Sequence, residues 1–180
     1  MILTDRPLHA ADSLIITGFA QSAEELFYIA PFAEYPWQAD KFAESTRERL
    51  SNTVFAQKGM VVGFANFYDY ELGHKGFIGN VIVNPAMRRQ GYGKRILQHM
   101  IETGIHGHKF MEIHLSCFST NTAGLLLYRK LGFKPYSIEQ RTDYKNESVA
   151  LVNFRLTETD YYTAQSGLDL KQIAAKLADI

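Results

Sequence analysis

The segment Val81–Leu97, "VIVNPAMRRQGYGKRIL", joins an apolar run to a string of helix formers, with Gly91 and Gly93 at the junction. The apolar run reads as a strand that stops at an Asn-Pro pair. After the glycines, apolar residues recur at the spacing of one helix face: Ile96, Leu97, Met100 and Ile101. Gly104 is placed to end this helix. The segment therefore predicts a strand, a glycine turn and an amphipathic helix in succession.

The two glycines suit a turn that binds phosphate. The first backbone N–H groups of a helix have no intrahelical partner, and the helix dipole adds partial positive charge there. Glycine removes the side chains that would keep an anion away from those groups. Four cationic side chains would add charge around this cradle: Arg88, Arg89, Lys94 and Arg95. A plain strand–helix turn that needs glycine is the alternative, while the Walker pattern and the third glycine of the dinucleotide fingerprint are absent.

The rest of the chain predicts further helices and strands around this segment. Residues 10–31 and 38–50 have helical spacing, and the candidate helix starts are Asp12 or Ser13, Ser22 and Asp40. Residues 52–72 read as a hairpin with its turn near Lys58-Gly59. Residues 109–119 alternate, with one face formed by Met111, Ile113, Leu115 and Cys117.

The C-terminal third predicts one more helix and a closing pair of strands. Residues 120–133 read as a helix that starts near Asn121 and ends before Gly132. Residues 136–157 read as two strands with a turn near Lys145-Asn146, and an amphipathic tail helix follows at about 167–180. The order of elements predicts a single domain over 1–180 of mixed α/β (α+β) class, a layer of sheet with helices packed on it.

Composition excludes several classes of protein. The 180 residues are 46% hydrophobic, which supports a packed core, and 19 basic residues balance 19 acidic ones, so no nucleic-acid or membrane partner is indicated. The N-terminus does not resemble a signal peptide, and no apolar run has the length of a membrane-spanning helix. Cys117 is the single cysteine, which predicts a cytoplasmic protein without disulfides, and it reads as a small buried hydrophobe.

Two blocks of the sequence resemble the GNAT family of N-acetyltransferases. "RRQGYG" fits the pattern R/Q-x-x-G-x-G/A after a strand, and "NTAGLLLYRKLGF" fits N-x-x-A/G-x-x-x-Y-x-x-x-G-F. The likeness covers about residues 50–155. It implies a twisted, mixed sheet of six or seven strands with about four helices, and acetyl-coenzyme A as the cosubstrate. It also implies a monomer or homodimer that acts on an amine acceptor.

The resemblance also implies where the coenzyme binds. The backbone groups that would pair with the pantetheine arm belong to Val81, Ile82 and Val83. A backbone N–H on the same strand, often at a bulge, would polarise the thioester carbonyl. The pyrophosphate would lie on the backbone of residues 88–94, which are Arg88, Arg89, Gln90, Gly91, Tyr92, Gly93 and Lys94.

In the second block, Asn121 and Tyr128 are seven residues apart and share a helix face, and Gly124 lies between them. Asn121 is expected to hydrogen-bond the pantetheine amide, and Tyr128 to protonate the departing thiolate. The alternative is that Asn121 only caps the helix and Tyr128 is a core aromatic residue.

The sequence leaves the identity of the general base open, because the two positions at which the family often has a glutamate hold Phe77 and Ser116. The candidates are a water molecule or one of Glu112, His114, Asp69, Glu71 and Glu34. The missing carboxylate keeps a non-catalytic acyl-coenzyme A sensor as an alternative, and a longer acyl chain or a protein N-terminus as acceptor is also compatible with the sequence.

Two other stretches contain residues of types that form sites. The "HGH" of residues 106–108 has no further ligands nearby in the sequence, so a turn is predicted there and no metal site. The aromatic loop of residues 27–38 either walls the acceptor pocket or packs in the core, through Tyr28, Phe32, Tyr35 and Trp37.

Overall fold

The computed structural model describes residues 3–166 as a seven-stranded sheet with helices on both faces. The strands are β1 Thr4–Pro7, β2 Leu50–Gln57, β3 Met60–Glu71, β4 Lys75–Val83, β5 Glu112–Phe118, β6 Lys134–Thr142 and β7 Ser148–Thr157. The helices are α1 Asp12–Thr17, α2 Ala23–Ile29, α3 Ala39–Thr46, α4 Tyr92–Glu102, α5 Thr122–Lys130 and α6 Glu158–Ser166. The predicted tail helix at about 167–180 lies outside the described residues.

The sheet has the order β1-β2-β3-β4-β5-β7-β6 and is antiparallel except where β4 and β5 run parallel. The chain reverses direction in the two hairpins at the predicted turns, because Gly59 and Asn146 take the positive φ values that tight turns need. The α4 crossover connects the parallel pair, as such a connection requires. The predicted fold class, mixed α/β with up to seven strands, is confirmed.

Each face of the sheet carries its own hydrophobic core. On one face, α4 buries the predicted stripe of Ile96, Leu97, Met100 and Ile101 against apolar side chains of β3, β5 and β7. On the other face, α1, α2 and α3 pack over a second cluster that contains Phe42, Phe64 and Ile82. The apolar stripe of an amphipathic helix must be buried, and the sheet buries that of α4, which explains the position of this helix.

A bulge in β4 allows this strand to contribute an isoleucine to each of the two cores. Between the pairs Phe64–Ile82 and Asn66–Gly79, two residues of β4 oppose one residue of β3. Asn80 at this bulge has φ +47°. As a result, Ile78 belongs to the core under α4, whereas Ile82 belongs to the core under α1–α3, although strict alternation would place both on one face.

Several local predictions were wrong. The helix does not end at Gly104, because the chain continues as a π-helical turn over Thr103–Gly107 and Gly104 packs closely against Ile113. Met111 precedes β5 and is half-exposed, so it does not share the buried face of that strand. β1 and α6 were not predicted at all, since both are short and lack a clear apolar period.

The predicted helix starts had mixed outcomes. Ser22 does cap α2, because its Oγ accepts from the Glu25 N–H at 3.1 Å. Asp40 does not cap α3, which has Gln38 at that position and Asp40 in its first turn. Asp12 lies in the first turn of α1, where its carboxylate binds Arg6 at 2.6 Å and 2.8 Å, so neither it nor Ser13 is the cap.

Candidate active site

A cleft opens where β4 and β5 separate. The two parallel strands are in register only over Lys75–Phe77 of β4 and Glu112–His114 of β5. Beyond these pairs the edge of β4 that includes Val81–Val83 is not paired with β5, so its backbone donors and acceptors face the cleft. Such an edge can accept an extended ligand as an additional strand would. The bulge expected on this strand is present at Asn80 and Val81.

Buried amides hold that bulge in place. Asn80 Nδ2 donates to the carbonyl oxygen of Ile29 at 2.9 Å, and Asn80 Oδ1 accepts from Asn66 Nδ2 at 3.1 Å. Asn66 is fully buried and also accepts from Arg49 at 3.2 Å. Because buried amides are costly to leave unpaired, this network fixes the position of the bulge relative to the end of α2.

The N-terminus of α4 fits an anionic group. Gly91 precedes the helix with φ +84°, and the helix has no side-chain cap there. The first-turn N–H groups of Tyr92, Gly93 and Lys94 therefore have no intrahelical acceptor. A Cβ on Gly91 would meet no atom within 4 Å, so the space beside the turn is open. These observations support a diphosphate as ligand, with exposed Arg89 and Lys94 side chains nearby.

The expectation that the Arg88 side chain adds charge to this cradle was wrong. Its guanidinium binds the Glu25 carboxylate at 2.7 Å and 3.0 Å and donates to the carbonyl oxygen of Phe19 at 2.8 Å. This hydrogen-bonded pair lowers the pKa of Glu25. Tyr92 is likewise turned inward, where its hydroxyl donates to Gln57 at 2.7 Å. Both side chains brace the loop, which leaves its backbone to the ligand.

The second block places Asn121 at the start of α5 as a cap. Its Oδ1 accepts from the Gly124 N–H at 2.9 Å, and a Cβ on Gly124 would come within 2.8 Å of the Asn121 amide. The absence of a side chain at Gly124 therefore makes room for the capping side chain of Asn121. The predicted contact between Asn121 and the pantetheine stays a prediction.

Tyr128 lies on α5 and packs against the core under α4. Its ring packs edge-on against Phe133 and Phe154, with centroids 6.3 Å and 6.1 Å away. The residue is partly exposed, and desolvation by the surrounding protein raises the pKa of its hydroxyl. The hydroxyl therefore carries its proton at neutral pH.

Cys117 lies near Tyr128 and is inert. The thiol is buried, as predicted, and burial raises its pKa to about 12. A thiol that is neutral at pH 7 is a poor nucleophile, so Cys117 is not suited to carry an acyl group.

The aromatic loop is divided between core and surface. Trp37 is buried and packs edge-on against Phe42 at 5.0 Å, so it belongs to the core. Phe32 and Tyr35 are exposed, and Tyr28 is partly exposed, with its hydroxyl bonded to Glu24 at 2.9 Å.

The candidate general bases lie in different environments. The side chains of Glu34, Asp69 and Glu71 are exposed, whereas Glu112 and His114 are in contact on β5, with 2.8 Å between Glu112 Oε2 and His114 Nε2. Ser116 donates to Asn153 Oδ1 at 2.6 Å. Sequence reasoning missed Tyr68 and Tyr136, which come from other strands to this same face. Only the pairing of the strands, which is not visible in sequence, brings them there.

This combination defines a class of enzyme: a transferase with a split sheet that receives an extended, anionic cosubstrate. Comparison with known proteins identifies the family. The model of the acetyltransferase (GNAT) family matches residues 17–133, more than half of the chain, and the chain belongs to this family. It is an N-acetyltransferase, and the cosubstrate predicted from the sequence, acetyl-coenzyme A, is confirmed.

The relatives have modest identity. The chain is 26% identical over 121 residues to the ribosomal protein bS18 alanine N-acetyltransferase of Escherichia coli K12, which covers 65% of this chain and 80% of that protein. It is 30% identical over 117 residues to N-alpha-acetyltransferase 40 of Saccharomyces cerevisiae, covering 54% and 41%.

Solved structures share the fold. Spermidine N-acetyltransferase from Vibrio cholerae superimposes with a TM-score of 0.76 at 14% identity, covering 89% of this chain and 98% of that one. A GNAT-family acetyltransferase from Bacillus anthracis gives 0.73 at 19% identity, covering 88% and 96%.

Among the described residues 3–166, no helix is long and apolar enough to cross a membrane. No group of three or more potential ligand side chains comes together there to hold a metal ion. His106 lies in the π-helical turn, and His108 follows it directly. His108 Nε2 is 2.7 Å from Ser51 Oγ, and the His106 ring packs against Tyr161 and Tyr162.

Proposed function

We propose that the protein transfers the acetyl group of acetyl-coenzyme A to a primary amine by direct attack in a ternary complex. The observation that carries the proposal is the juxtaposition of an uncapped glycine turn at α4 with the unpaired edge of β4. One site can bind a diphosphate and the other an extended amide-containing arm, and the two lie on consecutive segments of the chain.

In this proposal the backbone does most of the binding. The N–H groups of residues 88–94 hold the diphosphate, and the edge of β4 from Val81 to Val83 pairs with the pantetheine arm. A backbone N–H at the bulge stabilises the negative charge that develops on the thioester oxygen. Holding the long cosubstrate along the strand positions the carbonyl for attack.

Two side chains on the α4 side of the cleft have different parts in the proposal. Tyr128 gives its proton to the departing thiolate; its raised pKa keeps the hydroxyl protonated until that thiolate develops. Cys117 takes no part, because a neutral thiol cannot accept the acetyl group efficiently. The amine therefore attacks the bound thioester itself, without an acyl-enzyme.

The acceptor is proposed only at the level of a primary amine on a small molecule or peptide. A protein N-terminus is the second candidate, because several curated relatives are named as N-terminal or alanine N-acetyltransferases. The proposal includes a cytoplasmic setting, which the single reduced cysteine supports.

A thiol-release assay tests the proposal. Acetyl-coenzyme A is incubated with alkyl amines, polyamines, aminoglycosides and N-terminal peptides, and free coenzyme A is measured together with the mass of the acceptor. We expect thiol release that matches acetylation for at least one amine. Binding of acetyl-coenzyme A without turnover of any amine would favour the sensor, and absence of binding would refute the proposed site.

A further inference from the structure

A buried histidine lies at the closed end of the cleft. His114 is in register with Phe77, the last pair before β4 and β5 separate, and the two rings are tilted against each other with centroids 4.8 Å apart. His114 is 6% exposed. Its neighbours Ile113 and Leu115 point into the core under α4, so its side chain lies on the opposite face, together with Ser116 two residues further toward the cleft.

The two ring nitrogens of His114 have different partners. Nε2 is 2.8 Å from Glu112 Oε2, and Nδ1 is 3.1 Å from the Tyr136 hydroxyl. An ionised carboxylate can only accept hydrogen bonds, so Nε2 must carry the proton of the neutral ring. Nδ1 is then an acceptor, and the Tyr136 hydroxyl donates to it. Tyr136 is 47% exposed, so the chain leads from a half-exposed hydroxyl to a buried ring and then to a carboxylate.

Burial favours the neutral form of the His114 ring, in which Nδ1 is free to accept a proton, while the surrounding charges act in both directions. Burial lowers the pKa of His114, and the hydrogen bond with Glu112 opposes that effect. The charged groups that face the ring are Glu112 on β5, Lys75 on β4 and Arg155 on β7. Arg155 also binds Glu112 at 3.1 Å and lies over the Tyr136 ring at 5.8 Å, while the acidic groups near the Tyr136 hydroxyl are Glu112, Glu139 and Asp69.

We propose that Tyr136, His114 and Glu112 form the relay that receives the proton of the acceptor amine. This inference rests on the proposed function, which requires a neutral amine. An alkyl amine with a pKa near that of lysine, about 10.4, arrives mostly as the ammonium ion at pH 7. In the relay its N–H bond breaks and the proton passes to the Tyr136 oxygen, while the Tyr136 hydroxyl proton passes to Nδ1 of His114.

Each proton that leaves the amine passes to a named residue and then to solvent or to the coenzyme thiol. The nitrogen keeps its electron pair for the attack, and the resulting imidazolium of His114 is paired with the Glu112 carboxylate. The second amine proton ends on the coenzyme thiol by way of Tyr128, and the imidazolium returns its proton to solvent through Tyr136. Tyr136 is then the catalytic residue of the relay, because it meets the amine, and His114 and Glu112 act through it as positioning residues.

The test is the dependence of kcat/KM on pH between 6.5 and 9.5, with spermidine as the first probe and otherwise the fastest alkyl amine of the panel. His114→Gln keeps a side chain that can hydrogen-bond both partners but cannot store the proton. We expect it to lower kcat/KM about 100-fold at pH 7, within the usual range for a positioned base. The deficit should shrink at least tenfold by pH 9.5, because the neutral fraction of an amine with a pKa of about 10.4 rises from about 0.04% at pH 7 to about 11% at pH 9.5. Tyr136→Phe should show the same pH-dependent deficit.

His108→Gln is the matched control. His108 is also partly buried with a lowered pKa, but it is bonded to Ser51 and not to this chain. We expect its kcat/KM profile to match that of the wild type. A His114→Gln deficit of equal size at every pH would mean a structural role and would overturn the relay.

Nitrogen NMR of the wild-type protein tests the relay without turnover. The proposal requires the neutral His114 ring to be protonated at Nε2, and a ring protonated at Nδ1 would overturn it. Failure of the wild type to acetylate any amine while it binds acetyl-coenzyme A would instead count against the proposed function, so the two failures are distinguishable.

Discussion

Replacement of Gly93 by glutamate should separate binding of the coenzyme from folding of the enzyme. Gly93 is in the first turn of α4, and a Cβ there would lie 3.6 Å from Leu127 Cδ2 and 3.9 Å from Val83 Cγ2, which are ordinary contacts. Removing glycine from a helix is favourable, and an acidic side chain in the first turn interacts well with the helix dipole. We expect the free protein to gain about 0.5–1 kcal/mol, or about 1–4 °C in Tm.

Coenzyme binding should change in the opposite direction. In a helix the Cα–Cβ bond tilts toward the N-terminus, so the new carboxylate points at the N–H groups that would hold the diphosphate. Two unit charges about 5 Å apart at an effective dielectric of about 20 repel by about 3 kcal/mol. This alone raises the Kd about 100-fold. The variant should therefore be at least as stable as the wild type and bind far more weakly.

Isothermal titration with coenzyme A and thermal melting of the free protein measure the two effects. Gly93→Gln is the control for side-chain size, since it adds the same volume without the charge. Gly91→Ala is the control for backbone strain: with φ +84° at this position, an L-residue costs about 1–2 kcal/mol although its Cβ meets no atom. Binding by Gly93→Glu within threefold of the wild type would refute the position of the cradle.

Three other predictions address the remaining parts of the site. Tyr128→Phe should lower kcat about 10- to 100-fold with coenzyme affinity unchanged in calorimetry, because only the donated proton is lost; a rate within twofold of the wild type would make Tyr128 a packing residue. Acetyl-coenzyme A at 100 times its Kd should stabilise the fold by about 2.7 kcal/mol, seen as a rise in Tm, and no rise at millimolar concentration would contradict the assignment. Glu25→Gln should cost at most about 1 kcal/mol at pH 7, since both partners are about one-third exposed. Because the folded-state pKa of Glu25 is lowered from 4.5, this difference in Tm should be present above pH 4.5 and disappear as the pH falls through the folded pKa; a difference that does not change with pH would exclude the ion pair as its cause.

The periodic parts of the fold were predictable from sequence. The stripe on α4, the hairpins and the caps at Ser22 and Gly132 each depend on a few neighbouring residues, so local rules are sufficient. The failures are tertiary in origin. Gly104 reads as a helix end, but the close packing of Ile113 and Phe110 against it explains a glycine inside a continuing turn. β1 is recognisable only through its pairing with β2.

In the candidate site, too, the local motifs were predictable from sequence and the long-range contacts were not. The glycine turn and the positions of Asn121 and Tyr128 could be read from sequence, because each motif is local. The partners of Arg88 and His114 could not, since Glu25 is 63 residues from Arg88 and Tyr136 is 22 residues from His114. A basic side chain next to a phosphate loop looks like a ligand contact until its carboxylate partner is visible.

The bulge at Asn80 shows why the fold and the site are inseparable. Without the additional residue, β4 would alternate regularly and could not place Ile78 under α4 and Ile82 under α1–α3. The same irregularity interrupts the ladder with β3 at Asn80 and Val81, where the thioester is proposed to lie. The Asn80 side chain is bonded to α2 and to β3, so buried hydrogen bonds hold a left-handed residue at this point. A change that relaxes the bulge should therefore disturb both cores and the edge that is proposed to receive the cosubstrate.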